Sequence, residues 1–243
     1  MKYGLLGSGS WATAIAKILT GNGHNLNWWI RNPQNLQKLR EKKHNPHYLG
    51  SIAFDTDRLN LSSNLNEVVQ ASDVVIVAIP SAYIPEALAH CDKTIFAGKK
   101  ILSAVKGIIR NGNLLVNEYL EQQFGVAEAS YAVVSGPCHA EEVAEEKLSY
   151  LTFSSSTTAD AAQYAADFRC DFIQAVVNND VPGVQFAAIL KNIYAIGAGM
   201  AHGLDYGDNF MSVYIANAAD EMVGFLRKVA WDEHPEQKIN YAA

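Results

Sequence analysis

Cysteine is scarce: Cys91, Cys138 and Cys170 are the only three among 243 residues. They are odd in number, scattered, and form no CxxC pair. A disulfide framework and a structural zinc are therefore not expected, and a reducing compartment is. Positive charge is also in short supply. Lys and Arg number 19 against 25 Asp and Glu, a net charge of −6, and no basic run stands out. That balance argues against a general nucleic-acid binder. The N-terminus shows no basic n-region and no cleavage site, and "YGLLG" (3–7) is too short for a signal core. No apolar run reads as long enough to span a bilayer. The expectation is a soluble, cytoplasmic protein with no membrane span, no internal repeat and no low-complexity tract.

What the chain does have is apolar residues, 49% of the total. That share, at this length, is enough to bury a sizeable core. Short apolar runs alternate with helical patterns. Strands are predicted at 2–6, 25–30, 73–80, 99–107 and 131–137, with two more in "SYLTFSS" and "DFIQAVV". Helices are predicted at Ser10–Thr20, over "NPQNLQKLREKKH" and from near Cys138. This alternation predicts an α/β fold, with a doubly wound parallel sheet covered on both faces. The composition shifts near "NNDVPGVQ" (178–185). Beyond it come two long helical patterns, "VQFAAILKNIYAIGAGMA" and "SVYIANAADEMVGFLRKVAW", joined by a glycine turn at 202–209. The chain thus divides into a nucleotide-type domain at 1–179 and the beginning of an all-α domain at 180–243.

Gly7 to Ala12 read "GSGSWA", a G-x-G-x-x-A between a predicted strand and a predicted helix. That is the setting of a dinucleotide fingerprint. Gly7 makes the tight turn, Gly9 lets backbone approach a pyrophosphate, and Ala12 keeps helix and strand close. The bland alternative is a turn with no other task. The second strand ends "WWIRN", with Arg31 where an NAD site usually places an acid. An arginine there can accept a 2′-phosphate, so NADP should be tolerated; otherwise Arg31 is a solvated surface residue. Lys106, "PS" at 80–81 and "SGPCHA" at 135–140 follow three strands, and strand carboxyl ends are where open sheets bind ligands. Lys191 has helical neighbours Val184, Ala187, Ala188, Tyr194, Ala195 and Ala198, all uncharged. Such a lysine either snorkels or is desolvated toward a neutral pKa suited to proton transfer. His44 and His47 read as loop residues without a third metal ligand, and no metal site is expected. The "EEVAEEK" run reads as a solvated helix face, and the apolar stripe of "SVYIANAADEM" as core.

Taken in order, "GSGSWATA" (7–14), "WWIR" (28–31), "VAIPS" (77–81), "VKGI" (105–108), "SGPCHAEEVA" (135–144) and "LKNIYAIGAGMAHGLDYGDN" (190–209) resemble the bacterial NAD(P)-dependent glycerol-3-phosphate dehydrogenases. The resemblance implies reversible reduction of dihydroxyacetone phosphate to sn-glycerol 3-phosphate with NADP or NAD, a step that supplies phospholipid backbones. It implies that Gly7, Gly9, Ser10, Trp11, Arg31, Lys106 and Ala140 contact the cofactor. Lys106, Gly136, Cys138 and Lys191 would line the substrate site, with Lys191 as the proton donor and acceptor. A homodimer is compatible with it. Ala12 stands where the family often has glycine, Cys138 where it often has serine or threonine, and "NA" (217–218) where Arg-Gly is common. The chain stops at "INYAA", before the Gly-Asp-Leu and Ser-Arg-Asn segments that hold the substrate phosphate in the family. It is therefore expected to bind NAD(P)H but to reduce substrate poorly, and to expose the side carrying Val213, Ala216 and Val223. Two other readings remain: a two-domain NAD(P) reductase of the 6-phosphogluconate dehydrogenase or ketopantoate reductase type, and a nucleotide-binding module without catalysis.

Overall fold

Alternate residues of each short central strand face opposite layers of apolar side chains, and both layers are filled. The computed structural model describes residues 1–229. Its first half runs β1 (Tyr3–Leu6), α1 (Ser10–Gly21), β2 (Leu26–Trp29), α2 (Pro33–Lys42), β3 (Leu59–Ser62), α3 (Leu65–Gln70), β4 (Val74–Val77) and α4 (Ile84–Leu88). There follow β5 (Lys100–Ser103), α5 (Val116–Phe124), β6 (Tyr131–Ser135), α6 (Ala140–Ala144), β7 (Ser149–Ser155), α7 (Thr158–Phe168) and β8 (Ile173–Asn178). Two long helices close the described chain, α8 (Val181–Gly203) and α9 (Gly207–Val229). Tyr3, Leu5, Trp28, Ile76 and Leu102 face the layer that includes α1 and α7, while Leu6, Trp29, Val75, Val77 and Ile101 face the other.

The eight strands lie in the order β3-β2-β1-β4-β5-β6-β7-β8. From β3 to β6 every pair is parallel, with Leu6 opposite both Trp29 and Val77. The chain leaves β1 toward β2 on one side and returns to β4 on the other. The strand order therefore reverses between β1 and β4, and a crevice opens beyond their carboxyl ends.

Three expectations need correction. β7 runs antiparallel to β6, with Val134 opposite Phe153, so the sheet is not wholly parallel. Apolar periodicity is blind to direction; the short α6 between the two strands makes no full crossover. β3, with sequence LNLS and only Leu61 buried, was not expected as a strand. The turn expected at 202–209 is only Leu204–Tyr206, because α8 and α9 both extend into it.

Asp180 caps α8, accepting the Gly183 amide at 2.8 Å. Val181, Val184 and Ala188 then bury the first turns against the sheet layers. The C-terminal turns leave the sheet and pair with α9, where the Tyr214 hydroxyl donates to the Tyr194 carbonyl at 2.9 Å. With 23 residues and a mean hydropathy of 1.2 in its most apolar window, α8 is by length and composition able to cross a bilayer. That corrects the reading of the apolar runs, although its first half is part of the folded core. The stripe of α9 is not all core either: Val213, Ile215 and Ala216 are exposed, and Val223, expected on the exposed side, is buried. The expectations that fall on Trp231 and on the chain to Ala243 lie outside the described residues.

Candidate active site

The turn after β1 is built so that its carbonyls point into the protein. Trp28 Nε1 donates to the Gly7 carbonyl at 2.6 Å, Asn45 Nδ2 to that of Ser8 at 3.1 Å, and the Thr13 hydroxyl to that of Gly9 at 2.8 Å. Gly7 sits at φ +127°, and a Cβ there would lie 2.4 Å from the Ala78 carbonyl oxygen. Only glycine allows β1 and β4 to approach so closely at this bend. Gly9 caps α1 with no side-chain hydrogen bond, and a Cβ there would meet nothing within 4 Å. The first turn of α1, Ser10 to Ala12, borders open space, and a helix N-terminus carries unpaired amides and the positive end of the helix dipole. These features fit the pyrophosphate of a dinucleotide. Trp28, Thr13 and Asn45 are support residues that the sequence did not suggest, since no local pattern links positions 13, 28 and 45 to positions 7–9. Replacing Trp28 by phenylalanine is expected to strand the buried Gly7 carbonyl and cost about 1–3 kcal/mol, measured by denaturant unfolding. An unchanged midpoint would remove Trp28 from this role.

A cleft of about 380 Å³ runs from this turn across the ends of β4, β5 and β6. Gly9, Ser10, Trp11 and Ala12 form one wall; Lys106, Cys138 and Ala140 contribute to the rest. Lys106 Nζ lies over the Trp11 ring, 5.5 Å from its centroid, a cation–π contact in partly dry surroundings. The Trp11 Nε1 is buried and has no hydrogen-bond partner among the described residues. Burial holds the Lys106 ammonium below the usual lysine range. Next to Lys106, Gly107 at φ +148° lets the loop pass Ser81, whose Oγ a Cβ would meet at 2.7 Å.

Lys191 approaches from α8. Its Nζ donates to the Gly136 carbonyl at 3.3 Å, just past the end of β6. Gly136, at φ +135°, could not carry a Cβ, which would fall 2.3 Å from the Tyr150 carbonyl oxygen of β7. Burial first, and the Lys106 charge second, hold the Lys191 ammonium below its usual range. Cys138 is 4% exposed. Burial pushes its thiol up, against the pull of Ser149 and of both lysines. Lys106 and Cys138 line the cleft, and Lys191, bonded to Gly136, is close enough for its charge to act on Lys106 and Cys138. The uncharged stripe around Lys191 divides between two surfaces: Val184 and Ala188 are buried, while Tyr194, Ala195 and Ala198, with Lys191 itself, line a separate groove with α9.

Arg31 lies two residues beyond β2, on the opposite side of β1 from the cleft's β4 and β5 ends, and is 68% exposed on its side chain. An acid does stand beside it, contrary to the reading from the strand end alone: Glu86 Oε1 of α4 is 3.4 Å from Arg31 Nη1. His44 and His47 lie in the loop after α2, bonded to the Asn45 carbonyl and the Asn35 side chain. A larger cavity, about 740 Å³, opens at the far end of α1. Its Lys17, Arg58 and Arg169 are engaged by Glu146 and by the carbonyls of Gly23 and Ala175.

The family model described as NAD-dependent glycerol-3-phosphate dehydrogenase N-terminus matches residues 2–161, and its C-terminal counterpart matches 180–242. A glycerol-3-phosphate dehydrogenase [NAD(P)+] of Latilactobacillus sakei is 34% identical over 222 residues, 90% of this chain and 65% of that protein. One from Alcanivorax borkumensis is 34% identical over 227 residues, 93% of this chain and 65% of that protein. The chain thus spans just under two thirds of the length of these curated relatives. The crystal structure of glycerol-3-phosphate dehydrogenase from Coxiella burnetii superposes with a TM-score of 0.85 at 24% identity, covering 94% of this chain and 69% of that one. The Plasmodium falciparum enzyme gives 0.86 at 25%, covering 99% and 68%. With a dinucleotide turn, two lysines beyond the sheet and a family model over most of its length, the chain belongs to the NAD-dependent glycerol-3-phosphate dehydrogenase family.

Proposed function

We propose that this chain carries the cofactor site and the proton-transfer lysine of a glycerol-3-phosphate dehydrogenase [NAD(P)+], acting on dihydroxyacetone phosphate and sn-glycerol 3-phosphate in the cytoplasm. The observation that carries this reading is the half-buried Lys191, bonded to Gly136 and within electrostatic reach of Lys106, which lines the dinucleotide cleft. We place the boundary between the nucleotide-binding and helical parts at 179/180.

The bound nicotinamide supplies or accepts the hydride at the substrate's second carbon. Gly7 shapes the turn that receives its pyrophosphate, Gly9, Ser10 and Trp11 present backbone and ring to it, and Ala140 borders its nicotinamide half. The Lys191 ammonium gives its proton to the carbonyl oxygen during reduction, and neutral Lys191 takes the hydroxyl proton during oxidation. A lysine held below its usual range makes both directions accessible. Lys106 places a second cation against the developing alkoxide, where dry surroundings strengthen the attraction. Gly136 and Cys138 close the pocket behind the substrate.

The test is a turnover assay with NADPH and a panel of phosphorylated and unphosphorylated ketones. In a protein of the relatives' full length that contains these residues, selective reduction of dihydroxyacetone phosphate is expected; preference for another ketone contradicts the assignment. Lys106→Met adds a pH test. The Lys106 charge is one of the causes that hold Lys191 down. Without it the Lys191 ammonium rises, so more alkaline solution is needed to produce the base. The pH at which glycerol 3-phosphate oxidation begins to climb should move upward, and an unmoved profile contradicts the coupling.

We also propose a homodimer. Ile193, Ile196 and Met200 share one face of α8 and are each more than half exposed, apolar exposure of the kind that marks association surfaces. Sedimentation velocity of residues 1–243 should show a dimer; a monomer at micromolar concentration contradicts it.

A further inference from the structure

The Arg31–Glu86 pair joins two parts of the sheet that the glycine turn separates. Arg31 follows β2 and Glu86 belongs to the helix that follows β4, while β1 lies between those strands. The pair therefore spans roughly two strand spacings, about 10 Å, across the carboxyl end of β1. Lys106 follows β5 and Ala140 lies beyond β6, both on the opposite side of β1 from β2. A dinucleotide with its nicotinamide toward Lys106 and its pyrophosphate at Gly9 directs its adenosine ribose toward Arg31. This step rests on the cofactor reading above.

We propose that Glu86 sets the balance between NADP and NAD by competing with a 2′-phosphate for Arg31. The contact is a single one at 3.4 Å, and both side chains are about two-thirds exposed, at 68% and 70%. Such a pair is weak and readily exchanged. Arg31 has five N–H donors, of which this contact occupies one. A 2′-phosphate arriving at the guanidinium carries about −1.5 to −2 charges. It gains charge-assisted hydrogen bonds, yet must displace the carboxylate or lie next to it. The ribose of NAD brings a neutral hydroxyl instead, which a carboxylate can accept as a hydrogen bond. An acid in that position commonly marks an NAD site, where it comes from the end of the second strand. Here the cation comes from that strand end and the acid from α4. The two together admit either cofactor, and the acid weakens the advantage of NADP.

Calorimetric titration of residues 1–243 with NADPH and NADH tests this without requiring turnover. Glu86→Gln removes the charge from an exposed position and leaves the fold intact. The NADPH-to-NADH affinity ratio is expected to rise about 3- to 10-fold, with the gain shrinking at high salt. Adenosine 2′,5′-bisphosphate should tighten by a similar factor, while adenosine 5′-monophosphate should not. Arg31→Ala should lower the same ratio about 10-fold, and Glu86→Gln added to it should restore little. A ratio that Glu86→Gln leaves unmoved, or raises equally without Arg31, overturns the role of Glu86. Failure of the unmodified chain to bind either dinucleotide overturns the cofactor reading, and this proposal with it.

Discussion

In a protein of the relatives' full length that contains these residues, replacing Lys191 by alanine is expected to lower kcat for dihydroxyacetone phosphate reduction by about 10²- to 10⁴-fold, the usual share of a positioned general acid or base. NADPH affinity should barely change. The expectation rests on where α8 leaves the sheet. One face of the helix, with Val181, Val184 and Ala188, is buried. Lys191 is the next residue one helical turn on whose side chain turns back to the sheet, reaching the Gly136 carbonyl. That carbonyl fixes the ammonium near the end of β6, and burial together with Lys106 makes the proton easier to release. Alanine removes the proton carrier without touching the Gly7–Gly9 turn, which lies on the other side of the cleft. A loss shared equally between kcat and cofactor affinity would assign Lys191 a structural task. Near-normal turnover would remove it from the reaction.

The second large effect separates two glycines that look alike in sequence. Gly7→Ala is expected to destabilise the protein by about 2–4 kcal/mol, combining backbone strain with overpacking. Its φ of +127° disfavours any side chain, and the new Cβ would press on the Ala78 carbonyl oxygen. That oxygen is backbone of the neighbouring segment, whose Ala78 amide is tied to Leu6 at 2.9 Å. Relief would have to separate β1 from β4 at the point where the crevice opens. Gly9→Ala should behave oppositely. Its φ of −76° suits alanine, and the added methyl meets no protein atom within 4 Å. Stability should be unchanged, while NADPH affinity falls on the order of 10-fold because the methyl occupies cofactor space. Thermal unfolding and calorimetry on both variants check the contrast. A stable Gly7→Ala, or a Gly9→Ala that binds NADPH normally, contradicts the assignment of these positions.

The features legible in the sequence were those held within short stretches. Gly7, Gly9 and Ala12 sit between an apolar strand and an apolar helix, so the turn could be read locally. The uncharged neighbours of Lys191 follow from helical spacing alone. The features that escaped depend on distant contacts. Trp28 and Asn45 reach the turn from β2 and from the loop after α2, and each looks locally like an ordinary core aromatic or loop amide. Glu86 meets Arg31 only because the sheet places β4 and β2 on either side of β1. The direction of β7 is not legible because a short run of buried residues reads the same both ways. β3 was missed because an edge strand with one buried leucine carries little apolar signal.

The central claim is that a nicotinamide dinucleotide lies across the carboxyl ends of β1, β4 and β5. Amide hydrogen exchange of residues 1–243, with and without saturating NADPH, tests it most directly. The expected result is protection concentrated in Gly7–Thr13 and Val105–Gly107, with little change around Arg58 and Arg169 at the far end of α1. Protection at Arg58 and Arg169 with none at Gly7–Thr13 would place the cofactor in the other cavity and contradict the account.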